Sequence, residues 1–286
     1  MIKEIEELIK KFEGNVSLYA CDELNNEIRI NENIVVETAS AIKLFILIEY
    51  YKQIMNNEKS RDDILSYKFS EDFVENGSGI IQFLDSGLNI TSKNMAILMI
   101  IISDNIATNK MIDYLGFENI NNTIKELGLK NTKLIAKKID FNQYLQIGVT
   151  TAYEYANTYK MLLNSSILTP NLCNEIIDIL SKQMYNQMII KELPLKYIDS
   201  KGKTDSFIKY IASKSGGLGG ENAKTVICRN DGGIISTKSG NYITSVFINN
   251  FSDYYFYDNN PATILGAKIN KILFENFEKN KGSFVK

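Results

Sequence analysis

Residues 40–48 read Ser-Ala-Ile-Lys-Leu-Phe-Ile-Leu-Ile, and the hydrophobic pattern of the chain changes at this stretch. Ala41, Leu44, Phe45 and Ile48 recur at the spacing of one helix face, which predicts a buried helix from residue 40 onward. The residues before it show patterns typical of strands. The stretch therefore predicts the point where a sheet region gives way to a helical region.

Toward the amino terminus, the pattern indicates one helix and two strands. Residues 2–13 have apolar positions at helical spacing. Residues 16–21 and 27–30 read as strands, and a polar turn at 22–26 joins them. The chain is therefore expected to open with a helix followed by a strand pair.

Toward the carboxyl terminus, helical patterns come first and strands return late. The helical patterns lie at 91–102, 105–115, 118–127, 151–164 and 171–190. Residues 207–213, 225–236 and 242–249 are rich in β-branched and aromatic side chains, and 262–278 is again helical in spacing. The region 40–205 is thus expected to be almost wholly helical.

This order of elements predicts one sheet built from both ends of the chain, with a helical insert. The predicted division is a discontinuous sheet domain, 1–39 with 206–286, and an all-helical domain, 40–205. No Pro- or Ser-rich linker separates the two parts, so a tight interface is expected, and a cleft at that interface is the natural place for a site.

Composition excludes several classes of function. The 286 residues carry 32 Lys and Arg against 34 Asp and Glu, a net charge of −2, which argues against nonspecific binding of nucleic acid or acidic membranes. Histidine is absent, which excludes Ser-His-Asp and Cys-His mechanisms and zinc sites that use imidazole. Proton transfer near neutral pH must therefore use Lys, Asp, Glu, Tyr or a hydroxyl.

The cysteine content and the hydropathy of the sequence indicate in which cellular compartment the protein is expected. Cys21, Cys173 and Cys228 are far apart and form no Cys-x-x-Cys pair, which suits a reducing compartment. The longest aliphatic run, 96–102, is too short to span a membrane. Residues 1–7 do not resemble a signal peptide. The expectation is a cytoplasmic protein as written, or a secreted one if a signal peptide was trimmed.

A serine activated by lysine is the first candidate site. Ser40 and Lys43 form Ser-x-x-Lys, and in a helix this spacing places both side chains on one face. If Ser40 lies in the first helical turn, free backbone N–H groups nearby can stabilise an oxyanion. The same pattern also occurs at Ser200/Lys203, Ser206/Lys209 and Ser283/Lys286, but only the first opens a strongly apolar helix.

Ser103-Asp104-Asn105 is a second candidate and occurs once. It interrupts an apolar stretch and precedes another helical pattern. One interpretation is a helix end, with Ser or Asp capping the next helix. The other is a hydroxyl that relays a proton and an amide that holds a substrate carbonyl.

Lys214-Ser215-Gly216 is the third candidate. It follows a strand pattern, and such a lysine can supply fixed positive charge while the hydroxyl binds a carboxylate. Gly216 and Gly217 would let the backbone approach a substrate closely, although the glycine-rich run 216–220 also suits a loop entrance. A second Lys-Ser-Gly at 238–240 is predicted to be a hairpin turn.

Together, Ser-x-x-Lys, Ser-Asp-Asn and Lys-Ser-Gly in this order resemble the class A serine β-lactamases and the related penicillin-binding proteins. The resemblance covers nearly the whole chain, and the runs 77–81 and 229–232 also look like this family. It implies an α+β fold of the β-lactamase/transpeptidase type. An antiparallel sheet would be flanked by the amino- and carboxyl-terminal helices, with an all-α inserted domain.

The resemblance implies roles for the motif residues. Ser40 resembles the acylated nucleophile, Lys43 its proton acceptor, and Ser103 the hydroxyl that passes a proton to the leaving nitrogen. A small-molecule substrate, a β-lactam or related acyl amide or ester, is implied, with no metal and no organic cofactor.

The remaining implied roles concern binding. Asn105 resembles the amide that orients the substrate side chain, and Lys214 with Ser215 resembles the anchor for the substrate carboxylate. The N–H of Gly217, with that of the nucleophile, resembles the oxyanion hole. Arg229 resembles a strand arginine that adds charge near the carboxylate, or else it is a surface strand residue.

One departure from the family pattern affects the expected activity. Class A β-lactamases carry a loop Glu that activates the deacylating water, whereas 129–151 contains no Glu here. Its one carboxylate, Asp140, is either a replacement base or a turn residue. The sequence thus predicts a class A β-lactamase-like serine hydrolase that deacylates slowly. The alternatives are a penicillin-binding-type D,D-peptidase or esterase, and a noncatalytic β-lactam-binding sensor.

Overall fold

The structure is a computed structural model of the chain, and it describes residues 1–142, 146–194, 208–219 and 227–285. Ten α-helices occur in these ranges, with two short 3₁₀ turns at Ala39–Ile42 and Ile81–Phe83. The helices are α1 Ile2–Lys10, α2 Lys43–Met55, α3 Phe69–Asp72, α4 Ser92–Ile101, α5 Asn105–Leu115, α6 Phe117–Glu126, α7 Ala152–Leu163, α8 Pro170–Leu180, α9 Gln187–Ile190 and α10 Pro261–Lys279.

The main sheet contains strands from both ends of the chain. Its strands are β1 Asn15–Asp22, β2 Glu27–Ile30, β8 Ile208–Ser213, β9 Gly216–Leu218, β10 Cys228–Thr237 and β11 Asn241–Asn249. Their order is β2-β1-β11-β10-β8, with β9 also pairing with β10, and every pairing is antiparallel. Pairing of β1 with β11 runs from Asn15 opposite Asn249 to Asp22 opposite Tyr242. The α+β fold, with α1 and α10 flanking the sheet, is confirmed.

Two hydrophobic clusters lie on opposite faces of this sheet. One joins sheet residues such as Phe247 to the helices between α2 and α8. The other joins Val246 and Ile248 to α1, α10 and α9. Since alternate residues of a strand point to opposite faces, β11 contributes to both clusters. The sheet is therefore covered on each side, which explains why β10 and β11 are buried along almost their whole length.

The region between β2 and β8 is less uniformly helical than expected. It contains the small strands β3 Val36–Glu37, β4 Ile64–Ser66, β5 Asn89–Thr91, β6 Lys133–Leu134 and β7 Gly148–Thr150. Strands of two or three residues are too short to show alternation, so no periodic pattern marks them in the sequence. The single pattern at 171–190 is also wrong as one helix, because α8 ends at Leu180 and α9 begins at Gln187.

Several other expectations have clear outcomes. Thr91 caps α4 through its side chain. Residues 238–240 form the hairpin turn between β10 and β11, as predicted. Within the described ranges no helix combines the length and apolar character needed to cross a membrane. The three alternative Ser-x-x-Lys pairs each include a residue outside the described ranges, as does the predicted domain boundary at 205/206.

Candidate active site

The turn that carries Ser40 lies between β3 and α2. It is a 3₁₀ turn rather than the first turn of α2 itself, and Ala39 immediately before the serine has a left-handed φ of +46°. The Glu37 carboxylate accepts a hydrogen bond from the N–H of Ala39 at 3.0 Å, which fixes this strained position. The Ser40 hydroxyl makes no hydrogen bond to another described residue, and its N–H lies among the unpaired donors of the first turn.

Lys43 is completely buried directly beyond this turn. Its amine hydrogen-bonds the Ser103 carbonyl oxygen at 2.7 Å, the Ser103 hydroxyl at 3.0 Å and the Asn105 amide oxygen at 2.8 Å. Burial, and then the positive charge of Lys214, hold the pKa of Lys43 well below its usual value, with the Asp104 carboxylate opposing. The neutral form of the Lys43 amine is thus favoured relative to that of an exposed lysine.

The Ser103-Asp104-Asn105 segment joins α4 to α5, and the structure confirms its interpretation as a helix cap, whereas its role in proton relay and substrate binding stays a prediction. Asp104 caps α5, since its Oδ1 accepts from the N–H of Ala107 at 2.9 Å. Ser103 and Asn105 meanwhile hydrogen-bond Lys43. Ser103 also has a left-handed φ of +56°, so its backbone is held in a conformation that non-glycine residues rarely adopt.

The loop at residues 77–81 packs on this segment. Ser78 donates its hydroxyl to the Ser103 carbonyl at 2.6 Å, and its carbonyl oxygen accepts from the N–H of Asn105 at 3.0 Å. Gly79 has a φ of +107°, and a Cβ there would lie 2.2 Å from Asp104. Only glycine fits this position, and the loop thereby fixes the backbone on which Ser103 and Asn105 stand.

Lys214 and Ser215 lie in the short break between β8 and β9, where both strands pair with β10. The Lys214 amine is fully buried and donates to the Ser103 hydroxyl at 3.3 Å and to the Ser215 carbonyl at 2.8 Å. Burial lowers the pKa of Lys214 to about 7, although the buried Asp231 carboxylate opposes the shift. Ser103 is therefore shared by two lysines with lowered pKa values.

Gly216 and Gly217 belong to strand β9 rather than to a loop entrance. A Cβ at Gly216 would lie 2.3 Å from the Thr38 carbonyl oxygen and 2.9 Å from the Ser40 nitrogen. The backbone of β9 therefore lies against the turn that carries Ser40. This contact places the third sequence motif beside the first.

Arg229 is buried on β10 opposite Gly217, so the alternative of a surface strand residue is wrong. Its guanidinium donates to the carbonyl oxygens of Leu218, Cys228, Tyr254 and Tyr255 at 2.8–3.0 Å. It also stacks on the ring of Phe256, with its central carbon 3.7 Å from the ring centroid. In this structure Arg229 ties β9 to the 254–256 segment.

Asp140 lies in a turn on the loop between β6 and β7. Its carboxylate accepts from the N–H of Asn142 at 3.0 Å, as a turn Asp does. It lines a cavity of about 200 Å³ together with Phe73, Val74 and Lys138. The side-chain amide of Asn109, on α5, donates to the carbonyl oxygen of the neighbouring Ile139 and accepts from its N–H, which positions this part of the loop.

Sequence reasoning missed four polar residues around these motifs. Glu37 accepts from the N–H groups of Ile147 and Gly148 as well as Ala39, and burial raises its pKa to about 7. Burial likewise raises the pKa of Asp231 to about 8. Asn230 donates to the carbonyl oxygens of Glu37 and Thr38, directly before the Ser40 turn, and Gln183 donates to Ser215. The sequence singled out the run 229–232 only as a whole, and Glu37 and Gln183 belong to no local pattern, so only the tertiary structure reveals these contacts.

Metal binding finds no support in the described ranges. No three His, Cys, Asp or Glu side chains come together there in a way that would hold a metal ion. The groups that do converge are the amines of two lysines, the hydroxyls of three serines and the amide of Asn105. Such groups can transfer protons and form hydrogen bonds to a ligand.

Comparison with known families agrees with this arrangement. The profile of a family described as "Beta-lactamase enzyme family" matches residues 1–277, nearly the whole chain. The chain belongs to the beta-lactamase enzyme family. The predicted resemblance is therefore confirmed at the level of the superfamily.

Solved structures of this superfamily share the fold of the chain. A β-lactamase from Sphaerobacter thermophilus and the protein PBP-A are each 23% identical to it, both with a TM-score of 0.80. The match with the S. thermophilus β-lactamase covers 96% of this chain and 96% of that protein. The match with PBP-A covers 97% of this chain and 96% of PBP-A. A class A β-lactamase from Mycobacterium abscessus is 18% identical with a TM-score of 0.81, and the match covers 97% of this chain and 100% of that protein. At these identities the likeness establishes the fold. No curated protein matches the sequence.

Proposed function

We propose that this beta-lactamase family member is a serine hydrolase that forms an acyl-enzyme at Ser40 with a β-lactam or a related amide or ester. In the proposed reaction the Ser40 oxygen attacks the carbonyl carbon, and the carbon–nitrogen bond of the amide, or the carbon–oxygen bond of an ester, breaks. The proton of Ser40 goes to the Lys43 amine, and the Ser103 hydroxyl delivers a proton to the leaving nitrogen or oxygen. No group other than the substrate and water is consumed.

The observation that carries the proposal is the environment of Lys43. A base must be neutral before it can accept a proton, and an exposed lysine is protonated at neutral pH. Complete burial and the nearby charge of Lys214 both favour the neutral form of Lys43. Lys43 also follows Ser40 by three residues, so base and nucleophile lie within one turn of chain.

The hydrogen bonds of Lys43 support a proton path through Ser103. A neutral amine has two N–H bonds and one lone pair. Two of its three partners, the Ser103 carbonyl and the Asn105 amide oxygen, can only accept. In the neutral state the Ser103 hydroxyl, 3.0 Å away, is therefore the one of the three that can donate to Lys43, and Lys43 releases this bond when it accepts the proton of Ser40. A proton taken up at Lys43 can thus be passed to Ser103 and on to the leaving group.

Binding of the substrate is assigned to β9 and the residues before it. Lys214 and Ser215 would hold a carboxylate, since a buried cation beside a hydroxyl suits an anion. The N–H groups of Ser40 and Gly217 would hold the carbonyl oxygen. The contact of Gly216 with the Ser40 turn supports this pairing, because it brings β9 beside the nucleophile.

We further propose that deacylation is slow. The stretch 129–151 has no Glu, and Asp140 is engaged in a turn hydrogen bond with Asn142. PBP-A is one of the structural neighbours, and a point mutant of that protein is described as an acyl-enzyme complex with penicillin G. That similarity favours a second candidate, a penicillin-binding protein or sensor that acylates and stays acylated.

The predicted domain division remains a proposal. The cluster that joins the sheet to α1, α9 and α10 supports a sheet part with an apolar core of its own. The other cluster joins the helical part to the opposite face of the sheet, which supports the tight interface between the two parts. Met188 and Ile189 of α9 pack in the cluster with α1 and α10, so we place α9 beside the sheet part. The proposed site lies where α2, the 103–105 segment and β9 meet.

Intact-mass measurement after exposure to penicillin G tests the function. We expect one covalent equivalent on the wild type and none on Ser40→Ala. Ser283→Ala is the matched control, since Ser283 also belongs to a Ser-x-x-Lys pattern, and it should acylate normally. An adduct that survives in Ser40→Ala contradicts the mechanism.

A turnover assay separates the candidates. Turnover of nitrocefin beyond one equivalent indicates a β-lactamase, and a stable adduct without turnover indicates a sensor or a slow enzyme. Cleavage of simple esters with no β-lactam adduct indicates an esterase instead.

A further inference from the structure

Gln183 lies in the segment between α8 and α9, outside all three sequence motifs. Its side chain is only 5% exposed, and its Nε2 donates to the hydroxyl of Ser215 at 3.3 Å. Its Oε1 is buried and has no hydrogen-bond partner among the described residues. One half of this buried amide thus contacts the proposed carboxylate anchor, and the other half is unsatisfied.

The backbone around Gln183 is held against the site. The N–H of Met184 donates to the Ile101 carbonyl at 3.0 Å, and Ile101 ends the helix that precedes Ser103. The N–H of Gln183 itself donates to the Leu180 carbonyl at 3.3 Å. The segment therefore bridges the Ser103 region and Ser215, which come from distant parts of the chain.

Burial of this amide is costly if its role is only structural. A buried polar atom without a partner destabilises the fold, and an apolar side chain of the same size would avoid that cost. The single hydrogen bond of Gln183 is directed at a residue that the proposed function uses. Its placement thus fits a role in the site better than a role in the core.

We propose that Gln183 is a positioning residue that orients the Ser215 hydroxyl toward the carboxylate of the substrate. Nε2 of Gln183 occupies a lone pair of the Ser215 oxygen, which leaves the hydroxyl hydrogen as the group that faces the ligand. The inference rests on the proposed function, since it assigns Ser215 to the carboxylate. It makes Gln183 a determinant of selectivity for anionic over neutral acyl donors.

A carboxylate is the ligand that this geometry favours. The Ser215 carbonyl already accepts from the Lys214 amine at 2.8 Å, so the cation lies beside the oriented hydroxyl. A hydroxyl that donates to a carboxylate forms a charge-assisted bond, roughly twice as strong as a neutral one. A neutral ester at the same place gains much less from either group.

The experiment compares acylation by penicillin G with acylation by its methyl ester, which lacks the negative charge. In Gln183→Leu we expect the preference for penicillin G to fall about 10- to 100-fold, the value of a hydrogen bond to a charged group. Acylation by the methyl ester should stay within a factor of about two, since that bond is a small part of neutral binding. Gln183→Glu should lower the preference further. Its carboxylate accepts a hydrogen bond from the Ser215 hydroxyl, which turns that hydroxyl away from the substrate, and it also repels the substrate anion.

Two controls separate positioning from general damage. Gln187→Leu removes an exposed glutamine whose Nε2 donates to Asp258, and it should leave the preference unchanged. Ser215→Ala should abolish most of the effect of Gln183→Leu, because the proposed coupling acts through that hydroxyl. The rate with the methyl ester reports whether each variant keeps a folded site.

The outcomes are distinct. An unchanged preference in both Gln183 variants, equal losses with both probes, or additive effects with Ser215→Ala would each overturn the inference while the proposed function stands. Failure of the wild type to acylate with either probe would overturn the proposed function, and this inference with it.

Discussion

Lys43 and Lys214 direct their amine nitrogens at the same atom, the hydroxyl oxygen of Ser103, at 3.0 and 3.3 Å. Burial lowers the pKa of both lysines, and the charge of Lys214 lowers that of Lys43 further. Two ammonium groups around one hydroxyl would repel each other, so the site favours at most one charge on the pair. Its reactivity should therefore depend on how the two charges are coupled.

Removing the charge of Lys214 should change the pH dependence of acylation. Acylation requires neutral Lys43, so the rate rises with pH through the pKa of Lys43 and then levels off. In Lys214→Ala that pKa rises, and the acidic limb moves to higher pH. We expect the loss of rate on acidification, relative to the plateau, to begin at a higher pH in the variant than in the wild type. Stopped-flow acylation by a neutral ester, which does not need the carboxylate anchor, provides the profile.

Lys238→Ala is the control for this shift. Lys238 begins the second Lys-Ser-Gly, which the structure places in the exposed turn between β10 and β11. The pH–rate profile of Lys238→Ala should match that of the wild type. An acidic limb that shifts equally in Lys214→Ala and Lys238→Ala would mean that Lys214 has no special coupling to Lys43.

Gly216 should tolerate substitution less than Gly217. A Cβ at Gly216 meets the backbone of the Ser40 turn at 2.3 Å, and backbone cannot move aside without displacing the nucleophile. A Cβ at Gly217 meets the exposed ring of Phe256 at 2.9 Å, which can rotate away. We expect Gly216→Ala to lower the acylation rate about 100-fold, the scale of a 1 Å misplacement. Gly217→Ala, measured alongside, should lower the acylation rate much less. A larger loss of rate in Gly217→Ala than in Gly216→Ala would contradict the close approach of β9 to the Ser40 turn.

Glu37 should make the protein less stable as pH rises from 4.5 to 7. Burial raises its pKa from 4.5 to about 7 in the folded state, so folding favours the protonated form. Below pH 4.5 the group is protonated in both states, and above pH 7 it is ionised in both. Its contribution to the unfolding free energy should therefore decline by about 3 kcal/mol across this interval.

Urea unfolding of Glu37→Gln and the wild type at pH 4.5, 6 and 8 measures this contribution. The difference between the two proteins should grow in favour of the variant as pH rises, because glutamine does not ionise. Glu118→Gln, at an exposed position in the first turn of α6, should show no such trend. A difference that is independent of pH would exclude the raised pKa.

Acyl-enzyme should accumulate during turnover of penicillins. A base that positions water is worth about 10²–10⁴-fold in rate, and Asp140 and Lys43 are the candidates in this sequence. A mass time course with excess substrate should show mostly acylated protein. If free enzyme dominates instead, a competent base exists, and loss of turnover in Asp140→Asn would locate it at Asp140. Unchanged turnover in that variant would leave Lys43.

The order of elements could be predicted because apolar residues that recur at helix or strand spacing over a long segment indicate which face of the element is buried. The strands at 15–22 and 241–249 and the helix from residue 261 follow their hydrophobic patterns closely. The three motifs were visible because each joins residues that are neighbours in sequence. What could not be predicted was the short strand β9, since Gly216 and Gly217 have no side chains to form a pattern.

The supporting residues of the site were hidden for a different reason. Glu37 contacts Ile147 and Gly148, and Gln183 contacts Ser215, across long separations in sequence. Burial that shifts a pKa depends on packing from several elements, so a lone Glu or Gln carries no local signal. Arg229 was visible in the sequence, but its bonds to the 254–255 carbonyls depend on a loop that packs beside it.

Cys228 gives the protein an internal chemical reporter. Its thiol is fully buried on β10 opposite Leu218 of β9, and burial raises its pKa to about 12. Alkylation needs an accessible thiolate, so iodoacetamide can label Cys228 only when the packing between the sheet and the helices opens around it. The labelling rate at Cys228 therefore measures how often this part of the core opens, without any introduced probe. Cys21, on β1, is buried in the same cluster and reports in the same way on the packing around its own strand.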